Sequence, residues 1–117
     1  MKKIYYLSTC DTCKRIMKEL NLEGFEKQDI KVNPVTEEQL EEMRKMSGSY
    51  EALFSKRARK YKALGLKDKN LGEEDFKHYL LSDYTFLKRP VIMVDNKIFV
   101  GNSPKTVEAA KQLLNEK

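Results

Sequence analysis

Apolar residues recur along this chain in two rhythms, and the change from one to the other marks its elements. The run Ile4-Tyr5-Tyr6-Leu7 predicts a strand over Lys3 to Leu7. Ile16, Met17, Leu20 and Leu22 then repeat at helical spacing, which predicts a helix over about Thr12 to Asn21 with Asn21-Leu22-Glu23-Gly24 as its stop. Phe25 to Ile30 has apolar ends with polar residues between them and reads as a second strand. Strand, helix and strand in that order place two parallel strands side by side.

Asn33-Pro34 breaks the chain ahead of a longer helical stretch. Thr36-Glu37-Glu38-Gln39 is a capping-box pattern, and Leu40, Met43 and Met46 follow at helical spacing until Ser47-Gly48-Ser49. The two methionines read as core packing. Tyr50 to Phe54 reads as a short helical turn, Ser55 as a loop or cap, and the stretch to Leu64 as a second helix that stops at Gly65. Leu71-Gly72-Glu73-Glu74-Asp75 introduces a further helix carrying Phe76, Tyr79 and Leu80, with acids at the end where the helix dipole favours them.

The last third returns to the short period. Val91-Ile92-Met93-Val94 and Lys97-Ile98-Phe99-Val100, joined by Asp95-Asn96, predict a β-hairpin. Ser103-Pro104 opens a closing helix with Val107, Ala110 and Leu114 on one face and the proline at a permitted first-turn position. The pattern therefore predicts an α/β protein, one domain over residues 1–117: β-α-β, a helical insertion at about 35–85, then β-β-α, forming a four-stranded mixed sheet.

Composition narrows the function classes more than the fold. With 117 residues, 40% of them apolar and 35% charged, the chain is long enough for one core and is not of disordered composition. The net charge is +5, but the lysines are spread over the whole length, and no basic run with interleaved aromatics marks a nucleic-acid footprint. An anionic small substrate or an acidic partner suits that balance better. Met1-Lys2-Lys3 leads into an apolar run too short for a signal-peptide core, and no stretch approaches a membrane span, so a cytoplasmic location is expected.

Chemistry concentrates where the first strand meets the first helix, at Ser8-Thr9-Cys10-Asp11-Thr12-Cys13-Lys14. A thiolate is the nucleophilic form of cysteine, and a sulfur at the first turn of a helix faces unpaired N–H groups and the positive end of the dipole. Cys10 is thus expected to be the more acidic thiol. Cys13, one turn on, can attack a mixed disulfide formed there, which makes Cys10 the attacking and Cys13 the resolving residue. A zinc half-site, a structural disulfide and an inert packed pair are the competing readings. Zinc wants four ligands, and beyond the two cysteines only His78 and carboxylates are on offer; a bridge across so short a loop restricts the unfolded chain little. His78, on a predicted helix far from Cys10, is given no role.

Three further motifs succeed one another across the chain: Ser55-Lys56-Arg57 in the insertion, Leu87-Lys88-Arg89-Pro90 before the hairpin, and Val100-Gly101-Asn102 after it. With Cys10-Asp11-Thr12 and Lys14 they make the chain resemble the arsenate reductase-like (ArsC/Spx) family. Its members include glutathione-coupled arsenate reductases, small thiol reductases and the transcriptional regulator Spx; the Cys-Asp-Thr-x-Lys run is most similar to that of the small thiol reductases, while the CxxC spacing resembles that of Spx, which leaves the subfamily open. The resemblance implies a thioredoxin-like fold with a helical insertion and a cis peptide bond at Pro90 facing the nucleophile. It also implies that Arg57 and Arg89 hold an oxyanion or tune the thiolate, with Thr12, Lys14 and Gly101 in support. A guanidinium offers fork-shaped donors to arsenate, sulfate or a carboxylate and lowers a nearby thiol's pKa, so the assignment is chemically sound on its own terms.

Two departures bear on substrate. Family members acting on arsenate carry a histidine where this chain has Tyr6 and a third arginine where it has Val100-Gly101. The function implied is a cytosolic, glutaredoxin-type thiol oxidoreductase in which Cys10 attacks an oxyanion or a disulfide and Cys13 or glutathione resolves the adduct. It would act as a monomer with no bound cofactor or metal, and glutathione or a thioredoxin or glutaredoxin system would restore the dithiol. The alternative is a Spx-like redox sensor whose CxxC oxidation alters binding to RNA polymerase.

Overall fold

A computed structural model describes residues 1–115, and Glu116 and Lys117 of the expected 1–117 domain lie outside the described residues. The first strand, β1 (Lys2–Tyr6), and the third, β3 (Val91–Val94), carry the longest apolar runs, and these become the two central strands. All four residues of β3 are buried, as are Ile4 and Tyr5 on opposite faces of β1, as expected of strands covered on both sides. The polar strand β2 (Glu26–Asp29) and β4 (Lys97–Val100) take the edges, giving the order β2-β1-β3-β4. β1 runs parallel to β2 and antiparallel to β3, which is antiparallel to β4, so the sheet is mixed as the pattern predicts.

Register decides which strand ends meet. Tyr6 pairs with Asp29 across β1 and β2, Tyr5 with Val91 across β1 and β3, and Val91 with Val100 across the hairpin. The end of β1, the end of β2, the start of β3 and the end of β4 therefore share one edge of the sheet. Helices α1 (Asp11–Glu19) and α5 (Pro104–Asn115) pack on one sheet face, where Ile4, Ile92 and Val94 bury against Ile16, Leu20 and Ala110. Asn115 accepts the Asn21 backbone N–H and donates to the Glu19 carbonyl, which ties the two helices at one end.

By packing, the chain divides into two compact units, one formed by Met1–Pro34 with the chain from Arg89 onward, the other by Val35–Lys88. The second holds α2 (Glu37–Ser47), α3 (Arg59–Ala63), α4 (Glu73–Ser82) and three single 3-10 turns at Glu51–Leu53, Leu66–Asp68 and Tyr84–Phe86. The capping box of α2 forms in both directions: the Gln39 N–H donates to Thr36 Oγ1 at 3.1 Å and the Thr36 N–H donates to Gln39 Oε1 at 3.1 Å. Leu40 and Met43 are buried beneath it, and Met46 is half-buried. Gly48 closes α2 at φ +101, a conformation that costs other residues dearly.

One helix starts later than its periodicity suggests. Ser55 does not cap it and Ala58 takes the N-cap position instead; the Ser55 N–H donates to the Phe86 carbonyl at 2.7 Å and the Lys88 N–H donates to the Leu53 carbonyl at 2.8 Å. These bonds, with the bridge between Phe54 and Leu87, pull residues 53–55 into an extended pairing, and α3 begins only at Arg59. Among the described residues no helix is long and apolar enough to cross a membrane.

Candidate functional site

The turn between β1 and α1 is built by backbone bonds that its position dictates. The Cys10 N–H donates to the Leu7 carbonyl at 3.0 Å, closing a turn over Ser8 and Thr9, and the Cys10 carbonyl accepts the Lys14 N–H at 3.1 Å as the first bond of α1. Cys10 is therefore the N-cap, extended at φ −99 and ψ 111, half-buried, with the helix N-terminus beneath its sulfur. Cys13 falls on the inward face of α1 and is fully buried. Both are free thiols in the structure.

Their environments push them apart. Burial alone would raise the Cys10 thiol, but the backbone N–H and the thiol of Cys13, together with the hydrogen bond and positive charge of the Arg89 guanidinium, outweigh it and hold Cys10 below the ordinary value of 9.0. Burial pushes Cys13 up to about 12, against a smaller opposing pull from the Leu7 backbone N–H. A negative Cys10 next to it adds to that rise. The pair thus consists of one acidic, half-exposed sulfur and one protonated, buried sulfur that can donate to it.

The Cys13 shift should be visible in the stability of the reduced protein. Its folded value lies above the unfolded 9.0, so the unfolded chain loses its proton first as the pH rises, and stabilisation complete below pH 9 is lost on the way to about 12. Cys10 has the opposite sign: its contribution grows as the pH rises to 9.0 and is complete above it, adding no slope there. Reduced protein is expected to lose about 1 kcal/mol between pH 9 and pH 10 relative to Cys13→Ala in urea denaturation.

Arg89 and Pro90 reach the cysteines through the sheet. Pro90 immediately precedes β3, whose first residue pairs with Tyr5, so the Arg89-Pro90 segment lies beside the end of β1. The Arg89-Pro90 peptide bond is cis, as the resemblance implies, and Pro90 is fully buried. Gly101, at φ +89, donates its N–H to the Pro90 carbonyl at 3.0 Å, which fixes the segment to the end of β4. Thr12 is half-buried and Lys14 exposed on the first turn of α1.

Cys10 is hydrogen-bonded to both Cys13 and Arg89, whereas Arg57 belongs to the other compact unit, exposed in the turn before α3. His78 is exposed on α4. Tyr6 is half-buried at the end of β1.

One residue with a place in this arrangement is not singled out by the sequence motifs. Asp29, the last residue of β2, accepts the Ser8 N–H at 3.3 Å and the Lys31 N–H at 3.2 Å on one carboxylate oxygen. A signal for it exists in principle, since an aspartate at a strand end beside a parallel partner commonly takes the N–H two residues on.

The model described as ArsC family matches residues 5–110. Among solved structures, an ArsC-family-related protein of Bacteroides fragilis is 26% identical with a TM-score of 0.78, covering 94% of this chain and 97% of that one. A possible arsenate reductase of Streptococcus mutans is 32% identical with a TM-score of 0.65, covering 84% and 87%. An arsenate reductase of Vibrio cholerae, at 19% identity and a TM-score of 0.72 over 93% and 96%, shares the fold. No match was found among curated proteins. The sheet order and these likenesses make the fold thioredoxin-like.

Proposed function

Because the chain belongs to the ArsC family, we propose that it is a thiol-dependent reductase in which Cys10 is the nucleophile and Cys13 the resolving thiol. The observation that carries the proposal is the split between the two sulfurs, Cys10 held below 9.0 in contact with Arg89 and Cys13 pushed up to about 12.

With a disulfide substrate, the Cys10 thiolate forms a bond to one substrate sulfur, the substrate S–S bond breaks, and its electron pair leaves on the second sulfur, which takes up a proton. Cys13 then loses its proton and attacks Cys10 Sγ, releasing the first substrate sulfur as a thiol and leaving a Cys10–Cys13 disulfide. Two equivalents of glutathione return the dithiol and become oxidised glutathione. With an arsenate-like oxyanion, attack expels a hydroxide that departs as water. Cleavage of the new sulfur bond by Cys13 then leaves the electron pair on the central atom, reducing it by two electrons. Glutathione can replace Cys13 as the resolving thiol in either case.

Arg89 serves both courses, lowering the thiol's pKa and offering donors to the oxygens or to the departing sulfur. We assign Arg57 no step. The absence of a histidine at Tyr6 and of an arginine at Val100-Gly101 favours a disulfide over arsenate as substrate.

The test is the pH dependence of Cys10 alkylation, with turnover measured alongside. In wild type the apparent pKa should lie below 9.0; in Arg89→Ala it should rise, and turnover should fall by about 10- to 100-fold. An ordinary thiol value in wild type, unchanged by the substitution, would overturn the proposal.

A further inference from the structure

Within the turn that presents Cys10, Leu7 is buried in the core and Thr9 is exposed, which leaves Ser8 as the residue through which the turn can be anchored. What holds it comes from the neighbouring strand. Asp29 ends β2 opposite Tyr6, and Tyr6 ends β1, so the carboxylate reaches forward to the two residues beyond β1. Its Oδ1 accepts the Ser8 N–H at 3.3 Å, and the Ser8 hydroxyl donates to the same carboxylate.

Asp29 is itself fixed. Its Oδ1 also accepts the Lys31 N–H at 3.2 Å, its carbonyl accepts the N–H groups of Val32 at 3.1 Å and Asn33 at 2.8 Å, and the next residue, Ile30, donates its N–H to the Tyr6 carbonyl at 2.9 Å. Ser8 lies inside the turn that Leu7 and Cys10 close, and Leu7 supplies both the carbonyl that takes the Cys10 N–H and the N–H that faces the Cys13 sulfur. Fixing Ser8 therefore fixes where both sulfurs sit relative to the end of α1. An ionised carboxylate, which only accepts, suits a site with three donors converging on it.

We propose that Asp29 is a positioning residue for the Cys10 nucleophile, anchoring Ser8 so that the Leu7–Cys10 turn keeps the Cys10 sulfur against the N-terminus of α1 and the Arg89 guanidinium. The inference rests on the reading of Cys10 as the attacking thiol. It goes beyond that reading in giving β2, an edge strand far from the cysteines in sequence, a share in setting their reactivity.

The experiment is iodoacetamide alkylation of the reduced full-length protein across pH, with mass spectrometry to track Cys10 separately. Asp29→Ala should slow Cys10 alkylation at pH 7 by roughly tenfold and raise its apparent pKa. Asp29→Asn keeps an acceptor oxygen and loses the charge, and it should stay within about twofold of wild type. Ser8→Ala, which deletes only the hydroxyl, should change the rate in the same direction by about twofold, and the double variant Ser8→Ala with Asp29→Ala should be no worse than Asp29→Ala alone.

A Cys10 profile in Asp29→Ala that superimposes on wild type overturns the proposal. So does a fall in apparent pKa shared by Asp29→Ala and Asp29→Asn, which is what a nearby negative charge without an anchoring role would give on removal. If circular dichroism shows Asp29→Ala unfolded, Ser8→Ala decides, and an unchanged rate there overturns it. A wild-type Cys10 at the ordinary thiol value would remove the reductase reading and this inference together, whereas a depressed wild-type value with unresponsive variants removes the inference alone.

Discussion

Cys10→Ser is expected to lower thiol-dependent turnover by more than ~1000-fold, because a serine hydroxyl at the same N-cap stays protonated and cannot form the bond that begins either course of reaction. The same position would stabilise an oxyanion of serine far too weakly to matter near neutral pH. Cys13→Ser should behave differently. It leaves the acidic sulfur and Arg89 in place, so the first step survives and external glutathione can resolve the adduct, giving a fraction of wild-type turnover that depends on glutathione concentration. An assay coupling oxidised glutathione to NADPH consumption, with a small mixed disulfide as substrate, reads both variants. Equal turnover in wild type and Cys10→Ser would show that the chemistry lies elsewhere. If neither variant changed any turnover while oxidation of the CxxC changed capture of RNA polymerase subunits, the sensor reading would take its place.

The burial of Cys13 suits the resolving role proposed for it. A sulfur held at about 12 does not compete with Cys10 for the substrate, yet it lies one helical turn away and can be deprotonated once the Cys10 charge has been consumed in the mixed disulfide. The negative charge on Cys10 is one of the causes that raise Cys13, so formation of the adduct removes part of the barrier to its ionisation. In the proposed reaction, electrostatics between the two sulfurs would order their reactivity in time.

Most of the sheet was readable in the sequence because its signals are local. The four-residue apolar run at Val91 to Val94, the Asp95-Asn96 turn and the capping box at Thr36 each place an element with few residues and no tertiary information. α3 was less readable. Ser55 is a good cap in isolation, and only the pairing of residues 53–55 with residues 86–88, more than thirty positions on, holds it in an extended segment ahead of the helix. The site divides in the same way. Cys10 and Cys13 announce themselves by spacing, whereas the contact of Arg89 with Cys10 depends on β3 running antiparallel beside β1, and Asp29 depends on the parallel register of β2. Side chains brought in by strand pairing leave no periodic trace.

Phe54→Ala should be the most damaging single core substitution in the inserted unit, lowering stability by about 3–5 kcal/mol. Phe54 is 1% exposed and sits at the centre of an aromatic cluster, with its ring 5.1 Å from Phe86 in a stacked arrangement, 5.0 Å from Phe76 and 5.8 Å from Tyr61 edge-on. These partners come from the 3-10 turn at Tyr84–Phe86, from α4 and from α3, so one side chain joins three elements too short to persist alone. Truncation removes the burial of the ring and three ring contacts, and it leaves a void that Phe86, fixed by the bond from the Ser55 N–H to its carbonyl, cannot readily fill. Ion pairs on the same unit, such as Lys77 with Glu37 at 2.8 Å, stand at the surface and contribute little by comparison. Urea denaturation monitored by circular dichroism measures the loss. A change below about 1 kcal/mol would mean that the neighbouring rings close over the vacated space and that the insertion is held by its helix caps and backbone pairing instead of by its aromatic core.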